Sequence, residues 1–248
     1  MAAPISEQLN VLSERYLEIL LSDRGNTLLL LVQAPIIAWI AALNWGDIDT
    51  PTNSLYYVLA LTALWFGTFN ACREIVKERP IFEREVRRGL EVGPYLASKI
   101  LVLGLLSFVQ CLLLAGIVDR AVPLGGPVLG HFFFLWLTSL GGTAMGLCLS
   151  SVMSNSDRAM AGVVLLLIPQ MLFSEMVLNH DHASNLVLWG EDLTFITWTF
   201  QGMKEITKND WTLTTLLQSV FLIGLLAGAC LTGAYLVLKL RTRRLRGA

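Results

Sequence analysis

Residues able to carry out covalent or proton-transfer chemistry are scarce in this sequence, and their spacing matches no catalytic motif. GxSxG, HExxH and a pair of aspartates inside an apolar segment are all missing, as is the GxxxxGK[ST] loop that cradles nucleotide phosphates. His180-Asp181-His182 has metal-compatible chemistry, but the sequence offers no third ligand, so a plain loop is favoured. The chain is therefore predicted not to be an enzyme by itself and to bind no cofactor or metal.

Polar residues within apolar segments form a second group of candidates. They are Gln33, Asn70, Gln110, Gln170 and Glu175. In hydrocarbon such side chains are costly and mark functional sites by default, although an amide satisfied by a neighbouring helix is the commoner case. The cysteines also lie in apolar segments, without CxxC spacing, and are interpreted as small packing residues.

The densest group of charged residues is the segment 73–95. Its charges of both signs are interleaved with apolar residues, namely Ile75, Val76, Ile81, Phe82 and Val86. Apolar anchors supply affinity at a docking surface and charges fix its register, whereas a solvated loop needs no such interleaving. We expect a helix that extends the preceding apolar segment, breaks near Pro80 and restarts as far as Gly89, so that the segment docks a partner.

Six long apolar segments position these residues. Each is close to or above the ~20 residues with which a helix crosses ~30 Å of hydrocarbon. The predicted spans are 27–45, 54–72, 97–118, 131–153, 159–178 and 213–238. Residues 5–22 repeat apolar positions every three or four residues, which predicts an amphipathic helix at the membrane surface. The fold class is therefore all-α: a polytopic membrane protein with six transmembrane helices and an N-terminal interfacial helix.

Charge distribution orients these spans in the lipid bilayer. Of the 18 Lys and Arg residues, all but Arg120, Lys204 and Lys208 fall on one side. The positive-inside rule then predicts a multi-pass inner-membrane protein with both termini and the segment 73–95 in the cytoplasm. With a net charge of −1, no nucleic-acid partner is expected. Trp and Leu are interleaved with acids in the outer segment 179–211, which favours a short helix within 189–206 at or dipping into the outer leaflet over a solvated loop.

The charged segment also carries a family resemblance. Its pattern Glu78-Arg79-Pro80-x-Phe82-x-Arg84-Glu85-x-x-x-Gly89 resembles the E-R-P-x-F-x-R-E-x-x-x-G segment of ABC-2 type transporter membrane domains, in their G-subfamily-like branch. Weaker similarities follow along the chain, at Arg15-Tyr16-Leu17 through Asp23-Arg24, Gly146-Leu147 through Ser154-Asn155-Ser156, Ile168-Pro169-Gln170 and Trp198-x-Phe200-x-Gly202-Met203. The resemblance covers nearly the whole chain.

The resemblance implies an assembly and a set of site residues. The chain would form a homodimer, or a dimer with a related permease, and bind two P-loop ABC ATPase subunits that hold ATP and Mg. ATPase coupling would use Lys77, Glu78, Arg79, Phe82, Glu83, Arg84, Glu85 and Gly89. The substrate path would be lined by Trp65, Phe66, Phe69, Asn70, Leu167, Gln170 and Met171. The outer gate would comprise Glu175, Met176 and Val177, where family members often have Gly in place of Glu175.

These features predict the permease subunit of an ATP-binding cassette transporter. It would export a lipid-like or amphipathic substrate by alternating access, driven by a separate ATPase subunit. Two alternatives stay open at this point. The chain could be a membrane anchor that recruits a cytoplasmic ATPase or machine without transport, or an ATP-independent channel or carrier.

Overall fold

The computed structural model describes residues 4–48, 50, 52–174, 176–177, 185–208 and 210–246. All the regular secondary structure of this part is helical, which confirms the predicted all-α class. The helices are α1 (Ile5–Ser22), α2 (Arg24–Trp45), α3 (Asn53–Ala71), α4 (Glu74–Lys77), α5 (Arg79–Arg87), α6 (Val92–Ala121), α7 (Val128–Val152), α8 (Ser156–Leu172), α9 (Asn185–Asp192), α10 (Phe195–Ile206) and α11 (Leu213–Arg246).

Several of these helices are long and apolar enough to cross a membrane. In the described part of the chain there are five: α2, α3 with its extension through α4, α6, α7 and α11. The chain is therefore a polytopic membrane protein, as the sequence indicates. The predicted span 159–178 coincides with α8, which has 17 residues and ends at Leu172, so a sixth span stays a prediction.

The centre of the protomer is the pair α3 and α7, whose backbones approach closely at glycine residues. A Cβ atom on Gly67 would lie 1.8 Å from the Ser139 carbonyl oxygen, and one on Gly142 would lie 2.4 Å from that of Leu64. Gly146 repeats this contact one turn later, 2.7 Å from the Thr68 oxygen. Small residues let helices pack closely in lipid. The GxxxG spacing in α7 therefore serves packing within one protomer.

The described residues of the segment 179–211 form two helices, α9 and α10, where the sequence predicted one within 189–206. Trp189 in α9 is 76% exposed, as expected for a residue at the membrane surface. By contrast, α10 is buried along most of its length between α3, α7 and α11. Its Gly202 allows the ring of Phe134 to pack directly against the helix backbone. This outer helix is thus part of the helix bundle.

Candidate coupling site

The chain between α3 and α6 forms a bent segment, residues 73–91, called the elbow below. Its two short helices, α4 and α5, are separated at Glu78, two residues before the predicted break at Pro80. Proline is well tolerated in the first turn of a helix, because its missing N–H has no partner there in any case. Pro80 accordingly lies at the start of α5. Gly89, with φ of 104°, takes the left-handed conformation that turns the chain towards α6.

A buried lysine links the elbow to the beginning of α6. The Nζ atom of Lys99 lies 2.7 Å from Glu78 Oε1 and 3.6 Å from Glu74 Oε2, and the lysine side chain is only 2% exposed. It also lies 3.5 Å from the ring centroid of Tyr16, a cation–π contact with α1. Because an unpaired charge at such a position is strongly unfavourable, the two acids and the lysine require one another.

Helix α1 makes two further polar contacts with the elbow. The hydroxyl of Tyr16 donates a hydrogen bond of 2.6 Å to Glu74 Oε2, and Arg15 forms an ion pair with Glu85. Burial, reinforced by the charge of Glu74, raises the pKa of Tyr16 well above its usual value. The phenol therefore stays protonated and remains a donor, so α1 and the elbow are held together.

Apolar contacts hold the other face of α5. Phe82 is 3% exposed and its ring lies 4.7 Å from that of Tyr95 in α6, centroid to centroid. Val86, one turn along α5, is completely buried in the same cluster. Aromatic pairs at this separation contribute beyond their buried area. Two of the apolar residues of α5 that were predicted to anchor a partner, Phe82 and Val86, are therefore buried inside the protomer.

The end of α7 contacts the elbow as well. The hydroxyl oxygen of Ser150 accepts hydrogen bonds of 3.1 Å from the backbone N–H groups of both Ile75 and Val76. The guanidinium of Arg79 donates to the carbonyl oxygen of Met153. The first bonds supply acceptors for backbone N–H groups at the start of α4, and the last supplies a donor for a carbonyl group at the end of α7. Groups at helix ends have no partner within their own helix. The elbow is consequently fixed to α1, α6 and α7 at once.

The predicted coupling residues thus divide into two sets. Lys77 and Arg84 are exposed to solvent, as is Ile81, a residue outside the predicted coupling set that is 40% exposed. The remaining predicted residues are buried or half-buried and face the protomer or its rim: Glu78, Arg79, Phe82, Glu83, Glu85 and Gly89. Only the first set is free to contact another protein.

Sequence reasoning missed the partners of the inward set. They are Arg15, Tyr16, Glu74, Tyr95, Lys99 and Ser150. A usable signal existed for Lys99, which is a lone cation directly before the uncharged run 100–118. Glu74 and Glu78, four residues apart, are the acids that a buried cation at this depth requires.

The predicted substrate-path residues of α3 do not share one surface. Trp65 is 42% exposed and stacks on half-buried Phe69, with ring centroids 5.1 Å apart and planes 6° from parallel. Phe66 is completely buried inside the protomer. Asn70 is also buried, and its Nδ2 donates a hydrogen bond of 2.7 Å to Gln110 Oε1. Only the stacked pair is open to a ligand in the single protomer.

The predicted residues of α8 and the outer gate also differ in their exposure to solvent. Leu167 is buried, and Gln170 Oε1 accepts a hydrogen bond of 2.9 Å from the backbone N–H of Phe195, at the start of α10. Met171 is half-buried. Met176 and Val177 are 45% and 51% exposed. Glu175, His180 and His182 lie outside the described residues.

The sequence is similar to those of known ABC transporter proteins. The model of the ABC-2 type transporter family matches residues 7–207. An ABC transporter ATP-binding/permease protein of Mycobacterium tuberculosis is 27% identical over 186 residues, which cover 67% of this chain and 22% of that protein. An ABC transporter G family member of Petunia hybrida is 25% identical over 158 residues, covering 61% and 21% respectively. The chain spans about a fifth of the length of these curated relatives.

Proposed function

The chain belongs to the ABC-2 type transporter family, and from this premise we propose that it is a permease driven by an ATPase component that docks on the outward side of the elbow. The observation that carries the proposal is the division of the elbow into two faces. Lys77, Ile81 and Arg84 face solvent, whereas the ion pair of Lys99 with Glu78 fixes the opposite face. A displacement that the ATPase component imposes on the exposed face of the elbow can therefore be transmitted to the helices packed against its buried face.

Transmission follows from the rigidity of the inward contacts. A displacement of α5 moves Phe82 against Tyr95 and Glu78 against Lys99, and both of these partners belong to α6. Because packed side chains deform little, the displacement reaches the membrane-spanning part of α6. Closure of the ATPase component would thereby favour one arrangement of the helices over another. Alternating access would then be a shift in the populations of these two arrangements.

The proposed assembly is a dimer of permeases with two ATPase components, which bind ATP and Mg. The elbow and both chain ends lie on the cytoplasmic side of the inner membrane in this arrangement, supported by the bias of Lys and Arg to that side. The proposed substrate is amphipathic or lipid-like and is exported. Support comes from the exposed stack of Trp65 on Phe69, since flat aromatic surfaces suit apolar ligands.

The docking proposal is tested by purifying the chain with whatever ATPase it retains from its native membrane. Arg84→Glu reverses an outward charge and is expected to reduce the recovered ATPase strongly, while the purified permease stays monodisperse. Arg120→Glu is the matched control, because it reverses a charge on the other side of the membrane. Equal ATPase recovery for wild type and Arg84→Glu would contradict the proposed docking face.

Reconstitution separates transport from the two alternative functions. In liposomes containing the permease and its ATPase, substrate-stimulated ATP hydrolysis is expected, and Trp65→Ala is expected to lower that stimulation. ATPase binding without any stimulation would instead indicate a membrane anchor. Flux through liposomes that contain this chain alone would indicate a channel or carrier.

A further inference from the structure

A groove at the cytoplasmic end of the helix bundle has no role in the proposed coupling. It has a volume of about 410 Å³ and lies between α1, α6 and α11. Its walls are mainly apolar: Ile5, Leu9, Leu90, Val92, Pro94, Ala97 and Tyr235. A volume of this order is enough for a small organic ligand or the upper part of a lipid chain.

The depth of the groove places it at the level of lipid headgroups. Two of its walls come from helices that cross the membrane, at the point where each leaves the hydrocarbon. Ala97 begins one predicted span, and Lys239 directly follows the last one. The third wall is α1, an amphipathic helix that leaves Ile5 61% exposed. An apolar side chain exposed on an interfacial helix is expected to meet lipid.

The charges around the groove favour an anion. Lys239 lines it, with Nζ held 5.1 Å from the ring centroid of Tyr235. Arg243 is exposed one helical turn further along the same side of α11. Glu91 is the acid among the lining residues and lies on the α6 side. The groove thus combines an apolar floor with Lys239 in its lining and Arg243 beside it, against the acid Glu91, and this balance favours an anionic phospholipid.

We propose that this groove binds one anionic phospholipid of the cytoplasmic leaflet, with the phosphate on Lys239 and an acyl chain along Val92, Pro94 and Ala97. The site is separate from the stacked pair Trp65 and Phe69 on α3, so the bound lipid is a structural or regulatory ligand. A lipid in this position fills the space between α1, which carries part of the elbow network, and α11. Its occupancy therefore stabilises the position of α1 relative to the bundle.

Two substitutions test the groove itself. Lys239→Gln removes the headgroup contact, and Arg244→Gln is its matched control, because it removes an equal charge from the same tail outside the groove. Gly93→Leu tests the apolar floor. A Cβ atom on Gly93 meets no atom within 4 Å, so the leucine side chain starts in open space and is expected to occupy the space of the acyl chain.

Lipid retention by the purified full chain is measured by native mass spectrometry, during titration with phosphatidylglycerol or phosphatidylcholine. Wild type is expected to retain one phosphatidylglycerol in preference to phosphatidylcholine. Lys239→Gln is expected to weaken that binding roughly five-fold, and Gly93→Leu to weaken retention of both lipids at an unchanged melting temperature. Glu91→Gln is expected to strengthen phosphatidylglycerol binding by removing the opposing charge.

Three outcomes would overturn the proposal. Equal losses for Lys239→Gln and Arg244→Gln would mean that the tail attracts anionic lipid only through its total charge. Full lipid retention by Gly93→Leu would mean that the groove is not the binding place. Loss of the ATPase component in Gly93→Leu with lipid binding unchanged would identify the groove as a protein interface.

Discussion

The Nζ atom of Lys99 and Oε1 of Glu78 lie 2.7 Å apart, where the lysine side chain is 2% exposed and the glutamate 10%. The two residues belong to different parts of the protein, since Glu78 separates the two helices of the elbow and Lys99 lies in the second turn of α6. Their pairing therefore joins the elbow to α6, a helix long and apolar enough to cross a membrane. Buried pairs of this kind have clear energetic consequences when one partner is removed.

Lys99→Met is expected to destabilise the protein by about 3–5 kcal/mol, because it leaves the carboxylate of Glu78 buried without a counter-charge. The double variant Lys99→Met with Glu78→Gln is expected to recover part of that loss, since only the carboxylate of Glu74, which is 17% exposed, then remains without its lysine partner. Unfolding in detergent, followed by circular dichroism, measures both. Lys77→Met, which removes an exposed lysine of the elbow, serves as the control and should leave stability unchanged. A Lys99→Met protein as stable as wild type would show that the pair contributes nothing.

Phe82 and Ile81 are neighbours in α5 with opposite surroundings, and their truncation should separate folding from docking. Phe82→Ala empties a buried site against Tyr95 and is expected to cost about 3–5 kcal/mol of stability. Ile81→Ala removes a side chain that is 40% exposed and is expected to leave stability nearly unchanged while weakening ATPase binding. Melting temperature and ATPase recovery are measured on the same preparations. Reversed effects of the two substitutions would mean that α5 presents its other face to the partner.

The sequence predicted the placement of the elbow but not its orientation. Alternating charges and apolar residues indicated a short amphipathic segment between two spans, since this pattern depends only on local spacing, and the structure has the short helices α4 and α5 there. Which face is buried depends on side chains that are distant in the sequence. Glu78 is paired with Lys99, and Glu85 is paired with Arg15, 70 positions away. Periodicity within the elbow contains no information about such partners.

The polar residues inside the apolar segments also show that local sequence patterns do not identify partners distant in the sequence. Asn70 and Gln170 were predicted to line a substrate path, and this stays a prediction; in the protomer Asn70 donates to Gln110 and Gln170 accepts from the backbone of Phe195. Hydrogen bonds of this kind are common between membrane helices. Hydrophobicity locates a polar residue in a span, but only the helix arrangement decides whether its partner is a ligand or a neighbouring helix.

Glu205 makes the contact between α10 and the start of α11 sensitive to acid. Its Oε2 accepts a hydrogen bond of 2.5 Å from Lys208, and its Oε1 accepts two from Thr212, each 2.8 Å, at the start of α11. These bonds, led by the one from Lys208, lower the pKa of Glu205 to about 2 from its ordinary 4.5. A depressed pKa means that the stabilisation is complete above pH 4.5 and is lost as the pH falls towards about 2.

Glu205→Gln is therefore expected to lower the melting temperature at neutral pH. The difference in melting temperature between the variant and wild type should become smaller as the pH approaches 2. Melting in detergent over this pH range measures the difference between variant and wild type. Asp157→Asn, which changes an acid at the other end of the bundle, controls for general effects of carboxylate loss. A difference between Glu205→Gln and wild type that stays constant with pH would contradict the role of the ionised carboxylate.

Close packing of α3 on α7 should make the protein intolerant of a single methyl group at the crossing point. In Gly142→Ala the new Cβ atom would lie 2.4 Å from the Leu64 carbonyl oxygen, which forces the two backbones apart. Overpacking of this kind typically costs about 1–3 kcal/mol. Gly228→Ala in α11 is the matched control, because its Cβ atom meets nothing within 4 Å and alanine favours a helix by about 1 kcal/mol. Unfolding of the two variants in detergent is expected to shift in opposite directions from wild type. A Gly142→Ala protein as stable as Gly228→Ala would show that α3 and α7 are not held in this close contact.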